Sequence, residues 1–294
     1  MPAKRRNPNQ LTDPRLLITI AFVVVIMIPV LSLTFPFGPD WRDVYRRAAL
    51  DLLHGHNPHD TLQPRFLNPT WVLIPMMPIA VLPMELGGAI FLVVSLGSFA
   101  YAAYRLGATP LAMGAFVISP PVMHCVLNGN IDWIPLLGVT MPPQIGLFFV
   151  SAKPQIGVPI ALFWLIEAWR GTDDKPGGWR EVVRVFAPVT IALGITMLLF
   201  GFWFLDWGGQ PDQWWNASLF PYSVPVGLVL VYLSLRKRNI RFALPAGPCL
   251  SPYVLFHSWS AAAIAVVHKQ RWALLVTVAL WVLILIRATF PDLW

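Results

Sequence analysis

The chain has 294 residues, of which 56% are hydrophobic and only 12% are charged. A soluble domain carries about 25% charged residues, so the composition excludes an ordinary water-soluble globular protein and favours an integral membrane protein. The formal net charge is +7, but the basic residues separate apolar runs and form no continuous stripe, which argues against nucleic-acid binding.

The apolar runs predict an all-α transmembrane bundle of about nine to eleven spans, several of them broken or short. We expect one membrane domain over residues 1–294. The runs cover about 16–36, 69–84, 87–104, 108–126, 131–151, 156–169, 185–205, 220–235, 242–267 and 272–290.

The first run, at about 16–36, follows the basic residues Lys4, Arg5 and Arg6. It is too long for a typical secretory signal and lacks an Ala-x-Ala cleavage site. Under the positive-inside rule it predicts an uncleaved first span with a cytoplasmic N-terminus. The polar segment 37–67 then lies on the far side of the membrane.

This segment, which we call the first outer loop, contains an amphipathic helix. Trp41, Val44, Tyr45, Ala48 and Leu52 recur on one helical face. Gly55 is placed to end the helix. The pattern predicts a helix that lies along the outer membrane interface.

Two acids stand at the start of this helix. Asp40 is placed as the N-cap, and Asp43 follows three residues later, near the capping-box position. Capping alone would explain both residues. The alternative is that one carboxylate is a general base at the water–membrane boundary.

Basic residues and histidines also gather in the first outer loop. Arginine forks suit phosphate, although pairing with nearby acids or lipid headgroups is the simpler interpretation for any one arginine. The histidine spacing fits no standard zinc motif and predicts a solvated turn. The residues are Arg42, Arg46, Arg47, Arg65, His54, His56 and His59.

Prolines interrupt many of the later runs, and broken backbone at membrane depth needs protein or a water-filled cavity around it. Several runs are therefore expected to be half-helices around an internal cavity. Run 131–151 is either one span or a hairpin that turns at Met141–Gln144. We favour the hairpin, because it places Asn128–Asp132 outside, beside Lys153.

Polar residues within apolar runs are the remaining candidates. Lys153 is an intramembrane cation, which either binds a lipid phosphate or extends to the interface. Asn128, Asn130 and Asp132 form a second polar group, for which a loop tip is the simpler interpretation. Tyr253 and His257 follow a proline break, and a lone histidine is more often a hydrogen-bonded core residue.

The order of several short motifs along about residues 16–267 resembles glycosyltransferase family 87, the polyprenyl-phosphate-mannose-dependent mannosyltransferases of the GT-C superfold. The motifs are the Asp that leads the outer helix, Gly55-His-Asn-Pro58, Phe66-Leu-Asn-Pro69, Ile79-Ala-Val-Leu-Pro83, Pro121, Asn128-Gly-Asn130, Lys153-Pro154 and Ser251-Pro-Tyr253. The chain departs from the family pattern at Gly129-Asn130, where the family usually reads Gly-Gln, and at Asn57-Pro58-His59, where it reads Asn-Pro-Tyr.

The resemblance implies an inverting transfer of mannose or a related hexose from a polyprenyl-phosphate donor to a hydroxyl of a lipid or glycan acceptor. It implies Asp40, and secondly Asp43, as the general base. The residues it assigns to the donor phosphate and sugar are Arg42, Arg46, Tyr45, Asn68, Asn130, Lys153, Tyr253 and His257. No cofactor, metal ion or nucleic acid is expected, and membrane lipids are expected partners.

The resemblance also implies a multi-pass protein of the plasma (inner) membrane with an extracytoplasmic active site. Two other classes stay open: a transporter or flippase of a lipid-linked or anionic substrate, and a non-catalytic membrane subunit. Broken helices and a buried lysine fit a transporter, but the outer helix with its leading acids favours the enzyme. An enzyme site predicts that Asp40, Lys153 and His257 converge on one outward-facing cavity.

Overall fold

The computed structural model describes residues 26–34, 38–60, 64–172, 176–207 and 216–289. Within these ranges the chain is helical and has no β-strand, so the all-α prediction is confirmed. Of the predicted first span, only 26–34 lie within the described ranges, and they are helical. Lys4, Arg5 and Arg6 lie outside them.

The helices are numbered in chain order. The helix in the first outer loop is short, and the later helices vary widely in length. They are α1 Arg46–Leu53, α2 Met77–Ala80, α3 Met84–Arg105, α4 Pro110–Val117, α5 Pro120–Asn128, α6 Trp133–Gly138, α7 Pro143–Val150, α8 Pro154–Arg170, α9 Trp179–Phe200, α10 Val224–Lys237, α11 Ala243–Leu250, α12 Ser260–Ala265 and α13 Gln270–Thr289. A π-helical turn, Asp40–Tyr45, precedes α1, and 3₁₀ turns cover Thr70–Val72, Ile74–Met76, Trp203–Trp207, Ile240–Phe242 and Phe256–Trp259.

Three described helices, α3, α9 and α13, are long and apolar enough to cross a bilayer. Helices α4 and α5 meet the same requirement together, as a pair bent by 54°. The described residues thus hold three or four candidate spans, fewer than the predicted number of about nine to eleven. Proline, which removes a backbone hydrogen bond, divides runs 69–84, 131–151 and 242–267 into short helices. Helices α8 and α10 are unbroken but have only 17 and 14 residues, and most of the first run lies outside the described ranges.

Exposed apolar side chains on α9 and α13 support a membrane-embedded protein. Only 17% of the most apolar part of α9, and 11% of that of α13, is buried against the rest of the chain. Ile191, Leu198 and Leu285 are among the exposed residues. Surfaces of this kind are rare on soluble monomers and are expected where a helix faces lipid.

Run 131–151 is divided into α6 and α7, the two short helices of the hairpin interpretation. The two helices pack closely, because a Cβ atom on Gly146 would lie 2.6 Å from the carbonyl oxygen of Gly138. The first proline of Pro142-Pro143 stands directly before α7 and the second begins it. This break brings the start of α6 and the start of α8 toward the same region.

Run 242–267 is also broken, into α11, the 3₁₀ turn Phe256–Trp259 and α12. Helix α11 packs against the start of α8, where a Cβ atom on Gly247 would lie 2.4 Å from the carbonyl oxygen of Gln155. The chain after α11 therefore passes beside the residues that precede α8. This packing places His257 next to Lys153.

Candidate functional site

The outer helix begins at Asp40, one residue earlier than it would if Asp40 were its N-cap. Pro39 is already in helical conformation, and no side chain caps the first turn. The predicted capping roles of Asp40 and Asp43 are therefore wrong, because both residues lie inside that turn. The predicted apolar face is confirmed for Trp41 and Tyr45, which are 1% and 4% exposed.

The end of this helix agrees with the sequence prediction. The amide of Gly55 donates to Leu52 O at 3.1 Å, and the amide of His56 donates to Asp51 O at 2.9 Å. Gly55 has a positive φ of 77°. This is a Schellman ending, in which glycine occupies the left-handed position.

Asp40 is held by a side chain from a distant part of the sequence. Its Oδ2 accepts a hydrogen bond from Asn130 Nδ2 at 2.6 Å, and Asn130 is only 3% exposed. Burial raises the pKa of the Asp40 carboxyl, while the hydrogen bond from Asn130 and the positive charge of Lys153 act in the opposite direction. Asp40 as a whole residue is half-buried.

Two glycines allow this contact. A Cβ atom on Gly38 would lie 2.1 Å from the carbonyl carbon of Asn128. Gly129 has a φ of 69°, and a Cβ atom there would lie 2.6 Å from the Cβ of Trp41. The backbone before Asp40 therefore lies directly on the backbone before Asn130, at a separation that larger residues would not permit.

A buried ion pair lies behind Asp40. Lys153 Nζ pairs with Asp132 Oδ1, and the two residues are 6% and 0% exposed. Ser258 Oγ donates to Asp132 Oδ2 at 3.0 Å. Asp132 does lie in the loop between α5 and α6, but it is buried and not at an exposed tip. Lys153 is buried as well, so its predicted extension to the interface does not occur.

Both members of this pair stand at helix starts. Asp132 directly precedes α6, and Lys153 directly precedes α8. The two prolines of the hairpin bring these starts together, so that each residue finds its partner across the broken backbone. A buried charge that loses its partner is strongly unfavourable, and this pairing satisfies both charges.

Two histidines continue the polar contacts. His257, which is 2% exposed, has its Nε2 3.2 Å from Lys153 Nζ and 3.4 Å from Asp132 Oδ2. Its Nδ1 lies 3.2 Å from Nδ1 of His124, and the two rings stack with centroids 5.4 Å apart. His124 is exposed, and the sequence interpretation overlooked it because a single histidine in an apolar run carries no local signal.

We call these side chains the polar cluster: Asp40, His124, Asn130, Asp132, Lys153, His257 and Ser258. The structure brings together Asp40, Lys153 and His257, with Asn130, Asp132 and His124 beside them. The outward-facing cavity expected at these residues stays a prediction. With neutral rings, the cluster has two carboxylates, Asp40 and Asp132, and one cation, Lys153.

Of the other predicted residues, Asn68 and Tyr45 lie close to the cluster. Asn68 Nδ2 donates to Ala152 O at 2.8 Å, which ties the residue directly after the first outer loop to the residue before Lys153. Tyr45 is buried and packs on Phe91 at 6.4 Å between ring centroids. Tyr253 is half-buried, and its carbonyl accepts a hydrogen bond from Ser251 Oγ at 2.7 Å.

The predicted arginines make contacts elsewhere. Arg42 Nε and Nη2 each donate to a carboxylate oxygen of Asp43 at 2.8 Å, and this pair is largely exposed. The Arg42 guanidinium lowers the pKa of the Asp43 carboxyl. Arg46 Nη2 donates to Leu82 O at 3.3 Å. Neither contact reaches Lys153.

His59 is buried, so the predicted solvated turn is wrong at this position. Its ring nitrogens contact Phe66 O at 2.9 Å and Thr70 Oγ1 at 3.1 Å. The ring stacks on Trp203 with centroids 5.0 Å apart. An aromatic residue distant in sequence covers the His59 ring, which the histidine spacing could not show. His54 and His56 are exposed.

A cavity of about 230 Å³ lies away from the polar cluster. Pro142, Trp164, Glu167 and Arg184 are among the residues that line it, and none of the predicted site residues does. The outward-facing cavity predicted at Asp40, Lys153 and His257 is thus not this one.

Comparison of the chain with protein-family models, with curated proteins and with solved structures finds no match. Function is therefore inferred from the side chains and charges of the polar cluster.

Proposed function

We propose that the protein is a membrane glycosyltransferase of the GT-C type that uses a polyprenyl-phosphate sugar. It transfers mannose or a related hexose to a hydroxyl of a lipid or glycan acceptor on the extracytoplasmic face of the plasma membrane. The observation that supports this most is Asp40, a half-buried residue whose carboxylate is fixed by Asn130 at 2.6 Å beside a buried cation. A general base needs this combination of access and fixed orientation.

In the proposed reaction, Asp40 takes the proton from the acceptor hydroxyl as its oxygen bonds to the anomeric carbon. The bond between that carbon and the donor phosphate oxygen breaks, and the polyprenyl phosphate departs with the electron pair. A single displacement of this kind inverts the anomeric configuration. Charge-assisted contacts from Lys153 would stabilise the departing phosphate.

The decisive test is whether the purified protein, in liposomes, transfers mannose from polyprenyl-phosphate mannose to candidate acceptors. We expect a glycosidic product of inverted configuration, identified by NMR. Empty liposomes and heat-treated protein are the controls. If no donor gives product but a lipid-linked or anionic substrate crosses the liposome membrane, the protein is a transporter instead.

One observation favours that second candidate. The Lys153–Asp132 pair and His257 are buried among the ends of broken helices, an arrangement that transporters use to bind anions and to move protons. The liposome assay separates the two classes, because transfer changes the donor chemically and transport does not.

The pH dependence of transfer should follow the ionisation of Asp40. A base must be deprotonated, so the rate should rise with pH through the pKa of Asp40, which burial raises. The hydrogen bond from Asn130 favours the ionised form. Asn130→Ala should therefore move the acid limb of the rate profile to higher pH.

Asn128→Ala is the matched control, because the Asn128 side chain donates to His124 O on its own helix. It should leave the acid limb in place. An unchanged or lower acid limb in Asn130→Ala would show that Asp40 does not set the pH dependence.

A further inference from the structure

The polar cluster contains a continuous row of proton-bearing groups that leads inward from an exposed ring. It begins at His124, which is exposed, and passes through the Nδ1–Nδ1 contact of 3.2 Å to His257, which is buried. It ends at Asp132 and Lys153, which both lie against His257 Nε2. The proposed base Asp40 has no place in this row.

The contact between the two rings requires one proton between them. Two nitrogens at 3.2 Å form a hydrogen bond only if one carries hydrogen and the other a lone pair. If His124 is the donor, His257 carries its own hydrogen on Nε2 and faces Asp132 Oδ2 at 3.4 Å. If His257 is the donor, its Nε2 accepts from Lys153 Nζ at 3.2 Å.

The charges of the cluster oppose an incoming anion. Asp132 neutralises Lys153, and Asp40 adds a further negative charge. The other ionisable groups close to these charges are Tyr45 and Cys125, both buried. A phosphodiester that approaches Lys153 would therefore meet net negative charge unless one carboxylate gains a proton.

We propose that binding of the anionic donor is coupled to the uptake of one proton, which passes from solvent through His124 and His257 to Asp132. This inference rests on the proposed function. A solvent proton binds Nε2 of His124, whose Nδ1 proton moves to Nδ1 of His257. The Nε2 proton of His257 then moves to Oδ2 of Asp132.

The step is balanced: one proton enters, each ring ends neutral in its other tautomer, and Asp132 becomes a neutral acid. Lys153 keeps its charge, donates to the vacated Nε2 of His257 and is available to the donor phosphate. The arrangement after proton uptake uses the hydrogen-bond contact between Lys153 Nζ and His257 Nε2, and the one before it uses the ion-pair contact of His257 Nε2 with Asp132 Oδ2 at 3.4 Å. His124 is thus a positioning and proton-carrying residue that the donor need not touch.

The test is to mix purified protein with a short-chain polyprenyl-phosphate mannose in weakly buffered detergent solution and to follow proton uptake with a pH indicator. Donor binding is measured separately by equilibrium dialysis. We expect about one proton taken up per donor bound. The matched variants are His124→Gln and His56→Gln, two exposed histidines of which only the first belongs to the cluster.

His124→Gln should take up the same number of protons at equilibrium, but at least about tenfold more slowly, because the path and not the final acceptor is changed. His56→Gln should match the wild type. If the wild type binds donor without proton uptake, or if His124→Gln takes up protons at the wild-type rate, the proton path is wrong while the transferase proposal stands. If no donor binds, the transferase proposal fails and the coupling fails with it.

Discussion

Asp132→Asn is expected to lower the free energy of unfolding by about 3–5 kcal/mol, because it leaves a buried lysine without its carboxylate. Lys153 is only 6% exposed, so little water can replace the lost carboxylate. The replacement also leaves Ser258 Oγ facing an amide in place of a charge. Unfolding of the purified protein in mixed detergent measures the change.

Two further variants give this prediction its control. Asp43→Asn removes an exposed pair with Arg42 and should change stability by about 1 kcal/mol or less. The double replacement Asp132→Leu with Lys153→Met should recover much of the loss, since apolar residues need no partner. If Asp132→Asn and Asp43→Asn lower the free energy of unfolding equally, the Lys153–Asp132 pair is accessible to water.

Asp40→Asn is expected to slow sugar transfer by about 10²–10⁴-fold, the usual contribution of a general base. The asparagine oxygen can still accept the hydrogen bond from Asn130, so the fold and the donor affinity should change little. The loss should appear in kcat and not in KM. Steady-state transfer assays with polyprenyl-phosphate mannose measure both constants.

Asp43→Asn separates the two acids that the sequence placed at the start of the outer helix. Its carboxylate is engaged by Arg42 at the surface, so we expect transfer within a few-fold of the wild type. Comparable losses in both variants, or none in either, would refute the assignment of the base to Asp40.

Local patterns predicted the parts of the molecule that depend on nearby residues. The apolar face of the outer helix and its end at Gly55 follow from side-chain spacing and from one glycine. The break at Pro142-Pro143 follows from the missing backbone donor of proline. Each of these is determined within about one or two helical turns, which is why the sequence alone sufficed.

The polar cluster depends on contacts that no local pattern contains. Asp132 meets Ser258, 126 positions away, and His124 meets His257, 133 positions away. In the sequence, Asp132 therefore looks like an exposed loop residue and His124 like a solitary ring. For the same reason Asp40 suggested an N-cap, since its true partner Asn130 is 90 positions distant.

The order in which these groups are synthesised follows from the same separations. Asp40, His124, Asp132 and Lys153 all precede α8, whereas His257 arrives after roughly a hundred more residues. Contacts between such distant segments form late, because closing long loops is slow. We therefore expect the nascent chain to hold the Lys153–Asp132 pair without its contacts to His257 and Ser258 until the final quarter docks. If translation stalls before residue 257, the Lys153–Asp132 pair would stay exposed to water. Quality-control proteases in the membrane are suited to detect such a defect.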